Sequence, residues 1–84
     1  MEQILKGRII AVDFDGTIAH YSEWNGVGVF GNTITGVAWA LDRFKALGAT
    51  IIVHTCRKET NLVIDYLKKH KIPYDHDQIG RAHV

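Results

Sequence analysis

The spacing of apolar residues along the chain predicts a small number of alternating elements. Short, continuous apolar runs around residues 9–12 and 50–53 are typical of strands in a parallel sheet, whereas apolar residues at three- and four-residue steps indicate amphipathic helices. The pattern predicts strands over about 8–13, 49–54 and 76–79, and helices over about 36–47 and 59–71. Gly48 is expected to end the first helix, and Pro73 requires an extended exit from the second.

The order strand, helix, strand, helix, strand favours an α/β fold with a parallel sheet and right-handed crossovers. No repeat or linker divides the chain, so residues 1–84 are expected to form one domain. The segment over about 18–34 is too rich in glycine for a helix and too aromatic for a disordered linker, and it is predicted to form a hairpin-like flap. Its rings, Tyr21, Trp24 and Phe30, either line a substrate entrance or cover the sheet and contact another subunit, and the second role is favoured.

Composition excludes several functional classes. A net charge of +1 without a long basic run argues against a nucleic-acid partner, and no apolar run approaches the length that spans a membrane. A single cysteine, Cys56, excludes an internal disulfide and suits a cytoplasmic location. With 84 residues the domain can bury only a modest core, so a homo-oligomer, most simply a dimer, is expected.

The most informative stretch for chemistry is Asp13-Phe14-Asp15-Gly16-Thr17, where the first strand enters a glycine turn. Alternation along a strand places Asp13 and Asp15 on one face and Phe14 on the other. Two carboxylates so close repel each other unless a cation or a shared proton lies between them. Mg²⁺ bound to carboxylates and to substrate phosphate oxygens meets that need, whereas the simplest alternative is an ordinary aspartate–glycine turn.

A second polar block, Thr55-Cys56-Arg57, follows the second strand. Because carboxyl ends of parallel strands share one edge of a sheet, these residues are expected to lie near the two aspartates. The Thr55 hydroxyl is a donor for a phosphoryl oxygen or a local cap, and Arg57 either reaches a phosphate or is solvated or paired with a carboxylate. Cys56 lies at the mouth of the site, although a packed thiol is the more frequent outcome.

The first block resembles the first motif of the haloacid dehalogenase (HAD) superfamily of phosphohydrolases, matched by Asp13, Asp15, Gly16 and Thr17, and Thr55 resembles its second motif. The resemblance implies a three-layer Rossmannoid core of the small, capless kind. It also implies a Mg²⁺-dependent phosphatase or phosphotransferase that acts on a small phosphorylated substrate through an aspartyl-phosphate. Asp13 would then be the nucleophile and Asp15 the general acid and base, with Mg²⁺ on the Asp13 carboxylate and the Asp15 carbonyl. Phosphoryl oxygens would contact Thr55 and the amides of residues 14–17.

The end of the chain departs from the family pattern. Arg81 stands where similar small members have the lysine of the third motif, and a planar fork replaces a compact ammonium. The acids of a fourth motif would fall beyond Val84. Asp75 and Asp77 are the candidates to replace them, but they come before the third strand and so lie at its wrong end. Activity is therefore expected to be weak or incomplete, and the alternative is a non-catalytic HAD-like domain that serves in assembly or regulation.

Overall fold

The computed structural model describes residues 3–75 and the backbone of residues 79–81. The elements, in chain order, are β1 (Ile9–Asp13), α1 (Val37–Ala46), β2 (Thr50–Thr55), α2 (Thr60–Lys69) and β3 (Ile79–Arg81). The first four lie within two residues of the predicted bounds. The third strand begins three residues later than predicted, and residues 76–78, where the prediction placed most of it, lie outside the described residues.

The three strands form one parallel sheet in the order β1, β2, β3. Ile9 is opposite Thr50 and Asp13 is opposite His54 in the first pair, and Thr55 is opposite Arg81 in the second. The predicted α/β fold with a short parallel sheet is therefore confirmed. In the described part of the chain β1 pairs only with β2 and lies at an edge of the sheet.

The helices pack against one face of this sheet. Val12, Ile51 and Val53 alternate with exposed or half-buried residues along β1 and β2, and they share a core with side chains of both helices. The helix residues of that core are Leu41, Val63, Tyr66 and Leu67. The opposite face presents Ile9 and Ala11 to solvent. The described residues thus form two layers, and the third layer that the sequence analysis expected is not among them.

Both helices follow from their apolar spacing. Leu41 is buried on α1, and Val63, Tyr66 and Leu67 are buried at three- and four-residue steps on α2. At Gly48 φ is +100°, and a Cβ atom there would lie 2.9 Å from backbone atoms of Lys6, so no other residue fits this close approach. Glycine therefore ends α1 as predicted.

The segment before α1 forms a flap that is tied at its base and irregular at its tip. Ala19 and Thr33 form an isolated antiparallel bridge. His20 N–H donates to the Asn32 carbonyl at 2.8 Å, and Ile34 N–H donates to the Ile18 carbonyl at 2.8 Å. The predicted hairpin-like closure is therefore present at the base, although the flap contains no strand.

The helices are short. Each has 10 residues, and in the described part of the chain no helix is long and apolar enough to cross a membrane.

Candidate functional site

A cleft of about 440 Å³ opens where β1 and β2 end. Its walls combine both polar blocks of the sequence with one flap residue, and they comprise Asp13, Phe14, Asp15, Tyr21, His54, Thr55 and Cys56. The two blocks are about forty positions apart in sequence, and the parallel pairing of β1 with β2 brings them together. The structure therefore unites Asp13, Asp15 and Thr55, the residues expected to do the chemistry.

The two aspartates reach the cleft by a turn rather than by strand alternation. β1 ends at Asp13, which is exposed, and the chain then turns around the Phe14 carbonyl, which accepts N–H groups of Ile18 at 2.9 Å and Ala19 at 3.1 Å. Phe14 itself is fully buried beneath the cleft. Both aspartates therefore line the cleft, as the sequence analysis expected, although Asp15 lies beyond the end of the strand.

Most amides of this turn are already engaged. Phe14 N–H donates to the His54 carbonyl at 2.9 Å, Gly16 N–H to the Ala19 carbonyl at 2.8 Å, and Thr17 N–H to the Phe14 carbonyl at 3.4 Å. A phosphoryl oxygen at these amides would compete with internal hydrogen bonds, least severely with the long one at Thr17.

Thr55 is buried and keeps a donor for the cleft. Its Oγ1 accepts the backbone N–H of Arg57 at 3.0 Å, which fixes the hydroxyl at the end of β2. A hydroxyl that accepts one bond still carries its own proton, which it can donate to a second partner. Local capping and phosphate binding, the two roles considered for Thr55, are therefore compatible.

Asp15 is paired with Arg57 through two parallel hydrogen bonds. Nε donates to Oδ2 at 2.9 Å and Nη2 donates to Oδ1 at 2.9 Å, in the bidentate geometry that favours arginine–carboxylate recognition. The Arg57 guanidinium carbon also lies 5.0 Å from the Trp24 ring centre and 4.5 Å from the Phe30 ring centre. Of the roles left open for Arg57, the carboxylate-paired one is present in the structure.

Arg57 faces a second pocket, of about 390 Å³, which flap residues enclose. We call it the flap pocket; His20, Tyr21, Glu23 and Phe30 are among its lining residues, and Arg57 closes it from the β2 side. Tyr21 lines both the flap pocket and the cleft at Asp13. Tyr21 and Phe30 thus border cavities, whereas the sequence analysis favoured covering the sheet and contacting another subunit as the role of the flap rings.

The remaining predicted residues have different positions. Cys56 is exposed in the cleft wall rather than packed, because it follows the end of β2. The Arg81 backbone lies opposite Thr55 at the same edge of the sheet, as a third-motif residue would. Asp75 lies at the other end of β2, where its Oδ2 accepts Ile51 N–H at 2.6 Å and its Oδ1 pairs with Lys45 at 2.9 Å. Asp77 lies outside the described residues.

His54 lines the cleft, which the sequence analysis did not predict. Alternation along β2 turns it away from Thr55, which by itself indicates a packed histidine rather than a site residue. The cleft, however, wraps around the ends of the strands and receives side chains from both faces of the sheet. The pairing of His54 with Asp13 across β1 and β2 was the signal that could have identified it.

The donors at the cleft fit a hydrated Mg²⁺ ion. In the described residues no three side chains of His, Cys, Asp or Glu converge, and the Asp15 carboxylate is held by Arg57. Mg²⁺ commonly keeps several waters and binds one or two carboxylates together with substrate phosphates. The exposed Asp13 carboxylate can serve as that ligand, whereas the Asp15 side chain would first have to leave Arg57.

A cluster of rings fixes the flap to α2. Phe14, Phe30 and Tyr66 meet edge to face, with ring centres 5.2–5.5 Å apart. Tyr66 Oη donates to the Gly31 carbonyl at 2.7 Å, and burial raises the pKa of its phenol. A Cβ atom at Gly31 would lie 2.2 Å from the His20 carbonyl oxygen, so glycine is required where the two flap segments meet. The walls of both cavities are therefore formed before any ligand binds.

The functional argument rests on the residues of this chain, because comparisons with known proteins found no match. No family model, curated protein or solved structure matches the chain.

Proposed function

We propose that this domain is a HAD-like phosphohydrolase or phosphotransferase in which Asp13 is the nucleophile. The observation that carries the proposal is that Asp13, Asp15 and Thr55, from two separate sequence blocks, line one cleft at the carboxyl ends of adjacent parallel strands. A structural aspartate–glycine turn would account for the first block, but it does not account for the polar character of the second block, which the parallel pairing of β1 with β2 brings beside it.

In the proposed reaction an Asp13 carboxylate oxygen attacks the phosphorus of a phosphate monoester, and the bond from phosphorus to the ester oxygen breaks. The leaving oxygen takes a proton from Asp15, and the resulting aspartyl-phosphate is later cleaved by water that Asp15 deprotonates. Thr55 donates to a phosphoryl oxygen. Bound Mg²⁺ would supply electrostatic stabilisation of the transferring group.

The Asp15–Arg57 pair restrains this cycle. Both carboxylate oxygens of Asp15 accept hydrogen bonds from Arg57, so Asp15 must release at least one of them before it carries a proton to the leaving group. The same pair favours the second candidate function, a non-catalytic HAD-like domain that binds an anion weakly and acts in assembly or regulation. In that case Asp15 and Arg57 form a structural ion pair.

Turnover of an aryl phosphate in the presence of Mg²⁺ separates the two candidates. We expect slow hydrolysis that falls to background in Asp13→Asn, because the amide removes the nucleophile while preserving its size. Asp42→Asn, at an exposed position of α1, is the matched control for the loss of one carboxylate and should leave the rate unchanged. Hydrolysis that persists in Asp13→Asn would contradict the proposed nucleophile, and phosphate binding without hydrolysis would favour the non-catalytic domain.

The proposal extends to the architecture. A HAD-like core has a third layer on the open face of the sheet and a further strand beside β1, and in this domain we propose that a second copy of the chain covers that face or edge. The exposed Ile9 and the unpaired edge of β1 within the described sheet support this proposal.

A further inference from the structure

Arg57 retains a hydrogen-bond donor that the fold does not use. The residue is 7% exposed, and its Nε and Nη2 groups are committed to Asp15. Nη1 is buried, and no acceptor among the described residues bonds to it. A buried donor without a partner is unfavourable, so an acceptor from outside these residues that bonds to it gains affinity.

Ring packing and one hydrogen bond hold the wall of the flap pocket beside Arg57. The Phe30 ring lies over the guanidinium on one side and meets Phe14 and Tyr66 edge to face on the other. Tyr66 holds the Gly31 carbonyl and so anchors the flap to α2. Because the N–H bonds of a guanidinium lie in its plane, a new acceptor must approach Nη1 within that plane, which fixes the direction of recognition.

The charges around the pocket disfavour an anion. The Asp15 carboxylate already neutralises Arg57 through two hydrogen bonds. Glu23 adds a second carboxylate to the lining, and His20 is the other titratable side chain there apart from Tyr21. A negatively charged ligand would meet two carboxylates for one guanidinium, whereas a neutral carbonyl or amide oxygen would meet only the unused donor.

The flap pocket and the Asp13 cleft are neighbours. Tyr21 lines both cavities, and Asp15 lines the cleft while its carboxylate binds the arginine that closes the flap pocket. A phosphate ester with its phosphoryl group at Asp13 therefore has the flap pocket as the adjacent space for the rest of the molecule.

We infer that the flap pocket binds the leaving group of the substrate, and that this group carries an uncharged hydrogen-bond acceptor that bonds to Nη1 of Arg57. The inference rests on the proposed phosphoryl-transfer function and adds a substrate class to it, namely phosphate monoesters of neutral, carbonyl-bearing alcohols or phenols. Esters whose leaving group is itself anionic are excluded from this class.

Three phenyl phosphates that differ at the meta position test the inference. One carries a carbamoyl group, one a carboxylate and one hydrogen, and each is titrated into the Asp13→Asn protein, which lacks the proposed nucleophile. Trp24, whose ring lies over Arg57, reports binding by fluorescence once Trp39, 71% exposed on α1, is replaced in Trp39→Phe. We expect the carbamoyl ester to bind about 10-fold more tightly than phenyl phosphate, and the carboxylate ester to bind no more tightly.

Two further measurements assign the effect to Arg57. Arg57→Lys keeps a positive charge beside Asp15 and removes the planar fork, so the 10-fold preference should disappear while phenyl phosphate still binds. Should this variant not fold, side-chain ¹⁵N spectra of the unaltered arginine serve instead, because the Arg57 Nη signals should shift with the carbamoyl ester and not with phenyl phosphate.

Equal binding of the carbamoyl and unsubstituted esters would overturn the inference. It would mean that a water molecule, rather than the substrate, accepts the hydrogen bond from Nη1. Tighter binding of the carboxylate ester would overturn it as well, in favour of an anion site. Failure of the proposed function has a different signature. If the proposed function fails, inorganic phosphate does not bind, and each ester binds no more tightly than the same arene without its phosphate. If the flap pocket nevertheless accepts a neutral carbonyl, benzamide still binds more tightly than benzene, and this preference depends on Arg57.

Discussion

The two faces of the sheet differ in what covers them and in what they carry. The helix-covered face holds Val12, Ile51 and Val53 within one core, and its strand end delivers the buried Thr55 hydroxyl. The open face presents Ile9 to solvent, and its strand end delivers the exposed Asp13 carboxylate. The closed face therefore supplies a packed core and a fixed hydroxyl, whereas the open face supplies an accessible carboxylate.

The largest expected effect is the difference in stability between matched substitutions on the two sides. Leu67→Ala removes a fully buried side chain of the core and should lower the free energy of unfolding by about 2–5 kcal/mol. Ile9→Ala removes a side chain that is 68% exposed on the open face of one copy, and at protein concentrations too low for a dimer to form it should cost about 0.5 kcal/mol or less. Urea denaturation of both variants measures the difference. A similar cost for both would mean that the open face is covered in solution.

Magnesium should stabilise the domain through the open-face aspartate. The unfolded chain has no such site, so an Mg²⁺ concentration about 100-fold above the dissociation constant adds about 2.7 kcal/mol to the free energy of unfolding. Asp13→Ala should abolish the gain, and Asp42→Ala, an exposed carboxylate of α1, should retain it. Melting temperatures with and without millimolar Mg²⁺ provide the measurement, and an unchanged value for the parent protein would argue against a metal site at Asp13.

Self-association is the next test of the open face. Burial of an exposed isoleucine in an interface is worth about 1.5–3 kcal/mol, so Ile9→Lys should weaken a dimer built on the open face by at least about 10-fold. Lys is also a residue that protects sheet edges against pairing. Light scattering at micromolar concentration measures the effect. A parent protein that is monomeric under these conditions would contradict the dimer.

The smallest effect concerns Tyr66, beneath the closed face. Tyr66→Phe removes the hydrogen bond to the Gly31 carbonyl and should cost about 1 kcal/mol. Because burial raises the folded-state pKa of this phenol above its ordinary value of 10.0, the folded protein holds the proton more tightly than the unfolded chain does. Stability from this group is complete below pH 10 and is lost as the pH rises towards the folded-state pKa. Denaturation at pH 8 and above pH 10 should show the loss in the parent protein and less of it in Tyr66→Phe.

Much of the fold was accessible from the sequence because it follows local rules. Apolar periodicity located β1, β2 and both helices, and Gly48 marked the end of α1. The meeting of Asp13 with Thr55 was predictable too, since carboxyl ends of neighbouring parallel strands share an edge. The prediction for β3 meets the observed strand at Ile79, and its other residues, 76–78, lie outside the described residues; so short a strand leaves little periodicity to detect.

The details of the site depended on contacts that no local pattern encodes. Arg57 and Asp15 are 42 positions apart, and the sequence left phosphate, solvent and carboxylate as equal partners for the guanidinium. The partner of Arg57 depends on how the flap folds, because Trp24 and Phe30 lie against the guanidinium and help to bury it. The role of His54 at the cleft was missed for a similar reason, since alternation along a strand describes its faces and not its end.

The hydrogen bonds at the base of the flap allow the length of the flap tip to change. The bridge between Ala19 and Thr33 and the anchor at Gly31 hold the two ends of the flap together, so the intervening tip can vary without displacing β1 or α1. Each doubling of a flexible loop costs only about 0.6 kcal/mol in closure entropy. An insertion near Asn25 would therefore extend the wall of the flap pocket at little cost to folding, and its binding preferences could be changed there while Asp13 stays in place.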